Sequence, residues 1–290
     1  MPKSFHSPRA LQLRFISALW RQRELFVQLT LREVQGRYRG SVLGWTWSLI
    51  TPLLMLGVYT FVFSQVFRAR WGDLEQSGPL VFAINLFAGL IVYGVFSETI
   101  CQAPTRITSS ANLATKLIFP LEILSAVTVA TALFHAMTSL VVLIGFQIIN
   151  QSIAAPLGET IGNMPGIQLT LLWVPLVWVP LLCGCLALGW ILSALGVYLR
   201  DLSQVTVVMA NLMMFLSAVF YPLSALPDKW QPLLQVNPLV LIIEQTRRVA
   251  ISGLGPSPSY LVFGIICSLI FAEIAYRLFQ KARGGFGDVL

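Results

Sequence analysis

Aromatic side chains recur at helical spacing along stretches of the chain that carry almost no charge. An aromatic ring can stack on the apolar face of a sugar ring, and a Tyr hydroxyl adds a hydrogen bond. Many weak and similar contacts would suit a long polymer that must keep moving. The alternative is that these rings form ordinary interfacial belts and helix packing. They are Tyr59, Phe63 and Phe67 at i, i+4 and i+8, Phe82, Phe87, Tyr93 and Phe96, and Phe215, Phe220 and Tyr221.

Other reactive patterns are weakly represented. The chain lacks the phosphate-binding pattern G-x-x-x-x-G-K-[ST], and the glycine-rich stretch at 284–287 has neither the Lys nor a preceding strand. His6 and His135 are the only histidines, and we expect His135 to be a packed or hydrogen-bonded helix residue. The Cys183 and Cys185 pair is expected to pack rather than to bind metal. We therefore predict no enzyme mechanism, metal site or cofactor in this chain.

The composition places these aromatic residues in a membrane. Hydrophobic residues make up 56% of the 290 residues and charged residues 11%, against about 25% charged in soluble domains. We therefore predict an all-α polytopic membrane protein. Charge-free runs of about the 20 residues that a spanning helix needs predict six transmembrane helices, near 42–67, 80–99, 121–149, 168–197, 203–221 and 258–279.

The basic residues indicate orientation rather than a nucleic-acid partner. The net charge is +7, and most basic residues lie on one predicted side of the membrane, as cytosolic loops require. Six spans return the C-terminus to the side of the N-terminus, so we predict that both termini are cytosolic. The exceptions are Arg68, Arg70, Lys229, Arg247 and Arg248.

Residues 11 to 35 predict an amphipathic helix before the first span. Its apolar stripe contains Trp20, Val27, Leu31 and Val34, beside a polar stripe. Such a helix lies in the membrane interface. The alternative is a solvated helix packed on another protein.

Residues 104 to 118 form a long polar break on the predicted cytosolic side. The spacing of Leu113 and Leu117 predicts one short amphipathic helix, which ends at the Phe119-Pro120 pair. Pro120 would begin or kink the following span.

The stretch from Tyr221 to Pro256 is broken repeatedly by proline, and it predicts two short helices on the outer side, at about 228–235 and 238–252. Glu244 is spaced i, i+3 from Arg247 and i, i+4 from Arg248, which allows an intrahelical ion pair. Irregular backbone at membrane depth is tolerated only where protein or a water-filled cavity covers it. We therefore expect this stretch to cap a cavity.

Several segments, taken in order, resemble a known family. After the amphipathic helix come GRYRGSVLGWTWSLITPLLMLGVYTFVF, SSANLATKLIFPLEIL, YLRDLSQV, FYPLSALPDKW and NPLVLIIEQTRR. This order resembles the Wzm-type membrane permease of ATP-binding-cassette exporters for lipopolysaccharide O antigen. Permeases for capsule and teichoic-acid export are close relatives, and the resemblance runs from about residue 20 to 281.

The resemblance implies a homodimer in the inner membrane that works with two copies of a separate ATPase subunit, which would bind the ATP and Mg. It divides the chain into a cytosolic N-terminus with the interfacial helix (1–40) and a six-helix transmembrane domain (41–290). Within that domain it implies a coupling helix at 104–118, periplasmic gate helices at 227–252 and a cytosolic tail at 281–290. The implied ATPase contacts are Ser110, Asn112, Leu113 and Lys116, and the implied gate residues are Trp230, Glu244, Arg247 and Arg248.

The resemblance also implies a glycan channel bordered by spans one and five. The lining rings would be Tyr59, Phe63, Phe67, Phe87, Phe215, Phe220 and Tyr221. The substrate would be a glycan on a lipid phosphate, and Arg37 and Arg39 could hold that phosphate with paired donors. Their alternative role is to anchor the topology and pack the elbow. The alternative functions are a membrane transferase on lipid-linked sugars, with Asp228 and Glu244 as modest candidates, and an exporter of a small hydrophobic molecule.

Overall fold

The computed structural model describes residues 13–66, 79–110, 119–154 and 169–288, and in these ranges the regular structure is helical. The helices are α1 (Arg14–Arg21), α2 (Arg23–Tyr38), α3 (Trp47–Phe61), α4 (Pro79–Gln102), α5 (Glu122–Ala154), α6 (Val174–Val177), α7 (Val179–Tyr198), α8 (Leu202–Leu216), α9 (Gln231–Gln235), α10 (Pro238–Ala250) and α11 (Pro258–Ala282).

Four helical segments of the described ranges are long and apolar enough to cross a membrane. They are Val81–Thr105, Glu122–Ile149, Leu169–Tyr198 and Pro258–Gly287, and they match four of the predicted spans. The chain is therefore a multi-pass membrane protein. A continuous apolar run in a bilayer adopts a helix because every backbone N–H and C=O must be paired there, and a helix pairs them within one segment.

The other two predicted spans are helical but shorter. The span predicted from residue 42 begins only at Trp47, as α3, because Gly44 has a φ of +51° and a tight turn follows it. The span predicted at 203–221 ends at Leu216 as the 15-residue α8. At 1.5 Å per residue, α8 reaches about 22 Å, against about 30 Å for a hydrocarbon core. The count of six spans stays a prediction.

The single helix predicted at 11–35 is wrong in one respect, because the chain breaks into α1 and α2 at Gln22. With this break, Phe15 of α1 faces inward while Trp20 stays exposed. Phe15 is buried with its ring 5.9 Å from that of Trp190, and its backbone N–H donates to Glu273 Oε2 at 3.4 Å. Helix α1 therefore anchors the N-terminal segment to α7 and α11.

The predicted apolar stripe on these two helices is largely exposed. Trp20 is 68% exposed, and Val27 and Leu31 are about half exposed, whereas Val34 is buried. Exposed apolar side chains in a row are what a helix lying in a membrane interface presents to lipid. The interfacial position stays a prediction.

Helix α4 lies at the centre of the packing. Its Ala83, Ala88 and Val92 are fully buried, and it contacts α3, α5, α7, α8 and α10. Small side chains allow helix backbones to approach closely inside a membrane. Helix α11, by contrast, packs mainly on α7 and leaves Phe263 and Ile266 exposed, as a lipid-facing surface would.

Helix α7 holds both flanks of residues 104–118. Its Gly196 lies against the Pro104 backbone, where a Cβ would be 2.7 Å from Pro104 Cα. Its Trp190 is fully buried and donates from Nε1 to the carbonyl oxygen of Glu122 at 2.9 Å. The segment that enters the predicted coupling region and the segment that leaves it therefore rest on one helix.

A C-terminal turn, Arg283–Asp288, closes the same end of the bundle. Arg283 donates to Glu122 Oε2 at 3.2 Å and to the Phe119 carbonyl oxygen at 2.8 Å. Phe286 is almost fully buried, with its ring 6.2 Å from that of Tyr198. This turn fastens the start of α5 to the ends of α7 and α11.

Candidate functional site

Three polar side chains from different helices meet where α2 ends. Arg37 Nη1 donates to Glu98 Oε1 of α4 at 2.8 Å and to His135 Nδ1 of α5 at 2.7 Å. His135 Nδ1 also lies 3.0 Å from Glu98 Oε2. One nitrogen cannot accept from Arg37 and donate to Glu98 at the same time, so the two contacts belong to different tautomers of the ring. His135 is hydrogen-bonded, as the sequence led us to expect.

A cavity of about 500 Å³ opens beside this trio, between α2, α3, α4 and α5. We call it the elbow cavity. Its polar end is formed by Arg37, Glu98 and His135, and its aromatic wall includes Tyr59 and Phe87. It therefore combines a charged corner, where Arg37 pairs with Glu98, with aromatic ring faces.

The rings predicted on the first span form a short stack. Tyr59 and Phe63 have ring centroids 6.5 Å apart, and Phe63 stacks on Phe82 of α4 at 4.9 Å. Phe87 is buried and lines the elbow cavity. Phe67 lies outside the described residues. The structure thus brings Tyr59, Phe63 and Phe87 to one region between α3 and α4.

The rings at the end of α8 form a second and separate group. Phe215 and Phe220 have ring centroids 5.5 Å apart, and the Tyr221 hydroxyl donates to the Phe215 carbonyl oxygen at 2.8 Å. Phe215 is exposed. Within the described part of the chain, no ring contact joins this group to Tyr59 and Phe63.

The two arginines predicted to hold a lipid phosphate differ in their surroundings. Arg37 lines the elbow cavity and forms an ion pair with Glu98. Arg39 follows α2 in an extended conformation, is exposed, and lines no wall of the elbow cavity. Arg37 is therefore the better placed of the two to meet a ligand in that cavity.

The predicted ATPase contacts fall mostly beyond what the structure describes. Ser110 ends a short turn, Thr108–Ser110, while Asn112, Leu113 and Lys116 lie outside the described residues. The predicted helix at 104–118 is described only to residue 110, and its first part consists of short turns at Ala103–Thr105 and Thr108–Ser110.

Among the predicted gate residues, Arg247 is the most enclosed. It lies in α10 and is 3% exposed. Its guanidinium donates to the carbonyl oxygens of Asn85 at 3.0 Å, Ala218 at 3.0 Å and Val219 at 2.7 Å, and to Glu244 Oε1 at 3.0 Å. Burial lowers the pKa of Arg247 to about 10, so the group stays charged at neutral pH.

The remaining gate residues are nearer the surface. The predicted pairing of Glu244 goes to Arg247 and not to Arg248, whose Nε donates to the Gly255 carbonyl oxygen at 2.7 Å. Trp230 is half exposed, with Lys229 Nζ 6.0 Å from its ring. Arg247 therefore holds α10 against α4 and the chain after α8, while Arg248 and Trp230 are exposed.

Sequence reasoning gave no site role to several residues that the structure makes prominent. The sequence does give a reason to consider Glu98 and His135, because ionisable groups in apolar helices usually have a partner or a function. The sequence also gives a reason to consider Asn237, since it precedes a proline that begins a helix and can therefore cap that helix. Its side chain accepts from Leu239 N at 3.0 Å and donates to the Leu216 carbonyl oxygen at 3.1 Å.

Within the described ranges, no three His, Cys, Asp or Glu side chains are grouped as metal ligands would be.

Known proteins resemble this chain in sequence. The family model described as ABC-2 type transporter matches residues 24–251, and the chain belongs to that family. The family resemblance stated from the sequence is confirmed, and a transport subunit rather than an enzyme is what this family defines.

The curated relatives are similar along nearly their whole length. The chain is 28% identical over 278 residues to the O-antigen export system permease protein RfbA of Myxococcus xanthus, covering 95% of this chain and 99% of the relative. It is 24% identical over 258 residues to the polysialic acid transport protein KpsM of Escherichia coli, covering 88% and 93%. It is also 26% identical over 257 residues to the inner membrane transport permease YadH of Escherichia coli K12, covering 83% and 90%.

Proposed function

We propose that this chain is the transmembrane subunit of an ATP-driven exporter that moves a lipid-linked polysaccharide, with O antigen as the first choice, across the inner membrane. Two copies would form the channel, and two copies of a separate ATPase would supply ATP hydrolysis with Mg. The observation that carries the proposal is the end-to-end similarity to permeases named for O-antigen export and polysialic acid transport.

The packing suggests how movement at the ATPase would reach the channel. Both flanks of residues 104–118 rest on α7, through Pro104 on Gly196 and through Glu122 on Trp190. A displacement of that segment would therefore shift α7 and the start of α5 together. Because α5 also carries His135, the same displacement would reach the elbow cavity.

The transferase alternative finds little support in the surroundings of its candidate acids. Glu244 is committed to Arg247, and Asp228 accepts a hydrogen bond from Gln231 Nε2 at 3.2 Å. A general acid or base needs a proton that substrate can reach. The exporter of a small hydrophobic molecule shares the mechanism and differs only in its cargo.

Coupling to the ATPase gives the main test. We expect that deleting the partner ATPase, or replacing Leu113 with Asp, leaves the glycan inside the cell, because a buried carboxylate would oppose docking of an apolar contact. Surface glycan is measured by immunoblotting of whole cells and of lysates. Leu113→Met, which keeps an apolar contact, is the matched control and should export normally. Normal surface glycan in both the deletion and the Asp variant would refute the proposal.

The aromatic wall gives a second test. Replacing Tyr59 and Phe63 together with Ala should slow export several-fold without reducing assembly with the ATPase, because each lost ring removes about 0.5–1.5 kcal/mol of stacking. The rate is followed as surface glycan against time after induction. The control is Phe263→Ala, since that ring is 75% exposed on the outer side of α11. Equal export rates for the double variant and the control would show that these rings pack helices and do not contact the glycan.

A further inference from the structure

Helix α8 stops before the sequence requires it to stop. The apolar run continues to Tyr221, but the helix ends at Leu216 after 15 residues. Pro222 accounts for an end near Phe220, because a residue that precedes proline disfavours the helical conformation. Pro222 does not account for an end four residues earlier. The segment 217–220 therefore leaves the helix for another reason.

Side chains from outside the helix replace the backbone donors that its last turn lacks. In a continued helix, the N–H group four positions later would donate to each carbonyl oxygen. In the structure, the Tyr221 hydroxyl donates to the Phe215 carbonyl oxygen at 2.8 Å, and Asn237 Nδ2 donates to the Leu216 carbonyl oxygen at 3.1 Å. Both carbonyl oxygens thus have a donor although the helix has ended.

The backbone of Ala218 is strained. Its φ is +53°, and the residue is fully buried. At positive φ the Cβ of an L residue lies too close to the following carbonyl oxygen, and such strain persists only where neighbouring contacts hold it. Arg247 supplies those contacts, because it donates to the carbonyl oxygens of Ala218 at 3.0 Å and Val219 at 2.7 Å.

Asn237 joins the end of α8 to the start of α10. Its Oδ1 accepts from Leu239 N at 3.0 Å, as the cap of a helix does. Its Nδ2 also donates to Ser217 Oγ at 3.1 Å. Since Arg247 lies in α10 as well, a displacement of α10 would remove both donors from the end of α8 together. The three donors form what we call the α8 latch: Tyr221, Asn237 and Arg247.

We propose that residues 217–220 are a two-state segment, unwound while the α8 latch is closed and continuous with α8 when α10 moves away. Release exchanges the side-chain donors for backbone N–H groups and removes the positive φ at Ala218. Four added residues lengthen α8 by about 6 Å, to about 28 Å, which is close to the thickness of a hydrocarbon core. The inference makes no assumption about the cargo, so it stands apart from the proposed function.

Winding would also rearrange the rings at the end of α8. The ring centroids of Phe215 and Phe220 lie 5.5 Å apart in the unwound form. Side chains five residues apart on a helix point about 140° away from each other, because 3.6 residues make one turn. The two rings would therefore separate, and the position of α10 would determine whether they face the same side.

The test uses a pair of histidines that binds Ni²⁺ tightly only across a helical turn. Leu216→His with Phe220→His places two imidazoles on one face only when residues 216–220 are wound. Leu212→His with Leu216→His is the matched control, because both positions are exposed and already lie in α8. Isothermal titration calorimetry on the purified full-length chain, without a histidine tag, measures Ni²⁺ affinity in detergent. The pair across the break should bind at least tenfold more weakly than the control pair, because only the wound fraction binds.

Two variants open the α8 latch selectively. Asn237→Asp keeps the oxygen that accepts from Leu239 N but loses the donor to Leu216, and Tyr221→Phe loses only the hydroxyl. Each should tighten Ni²⁺ binding by the pair across the break at least threefold and leave the control pair unchanged. A damaged fold would instead change the control pair as well.

Ala218→Gly acts in the opposite direction. Glycine adopts positive φ without strain and disfavours a helix, so this variant should weaken Ni²⁺ binding by the pair across the break at least threefold. The control pair, which ends at Leu216, should bind as before.

Two results would overturn the proposal. Equal Ni²⁺ affinities of the two histidine pairs in the chain with an intact latch would show that residues 217–220 are already wound. Affinity of the pair across the break that changes with neither Asn237→Asp nor Tyr221→Phe would show that the end of α8 is fixed. Surface glycan that depends on the ATPase tests the proposed function separately, and it stands or falls without regard to either result.

Discussion

Replacing Arg247 with Met should lower the free energy of unfolding by about 3–5 kcal/mol, the range for breaking a buried charged network. The guanidinium satisfies carbonyl oxygens on three residues, Asn85, Ala218 and Val219, and it pairs with Glu244. Methionine fills much of the same volume but donates nothing, so buried carbonyl groups would lose their donor. Thermal unfolding of the purified chain, followed by tryptophan fluorescence, measures the loss.

The neighbouring residue supplies the control for this prediction. Arg248→Met changes the same charge on the same helix, but Arg248 is exposed and donates to the Gly255 carbonyl oxygen alone among the described residues. Its loss should cost less than about 1 kcal/mol. If the two variants unfold at the same temperature, Arg247 does not hold α10 in place as described.

Replacing Gly196 with Ala should reduce both stability and export. The new Cβ would lie 2.7 Å from Pro104 Cα and closer still to its carbonyl oxygen, and a backbone cannot yield as a flexible side chain does. Overpacking of this kind typically costs about 1–3 kcal/mol, and sometimes more. The turn Ala103–Thr105 would have to shift, and with it the entry to the predicted coupling segment. The measurements are thermal unfolding and surface glycan.

Gly184→Ala is the matched control on the same helix. No atom lies within 4 Å of a Cβ at that position, so the substitution should be neutral or stabilising by up to about 1 kcal/mol, because Ala favours a helix over Gly. Equal behaviour of the two alanine variants would show that α7 and the turn at Pro104 are not in tight contact.

Sequence patterns predict the features that depend on local chemistry. The charge-free run near 80–99 predicts α4 to within a few residues, because a spanning helix must satisfy its own backbone. The spacing of Glu244 from Arg247 and from Arg248 allows an intrahelical ion pair with either arginine, because all three lie on one face of a helix, and the structure forms the pair with Arg247. The order of several short motifs predicted the family, which the family model then showed.

Features that depend on distant partners could not be predicted in this way. Arg247 meets the Asn85 carbonyl oxygen across 162 residues, and Arg37 meets His135 across 98. No periodicity in one segment carries information about such a pairing. No Gly or Pro near Gln22 predicts the break in the helix there. We attribute the break to the packing of Phe15 against the distant Trp190.

The C-terminal turn has a consequence for how the chain is made. Arg283 is translated 161 residues after Glu122, so the start of α5 leaves the ribosome long before its ion-pair partner exists. Contacts between residues so far apart in the chain form late in folding. During that interval the exit from the predicted coupling segment can be held to α7 by the hydrogen bond from Trp190 to Glu122, but not yet by Arg283. A chain interrupted before Arg283 and Phe286 would therefore lack the hydrogen bonds of Arg283 to Glu122 and Phe119, and the start of α5 would be held at this end by fewer contacts.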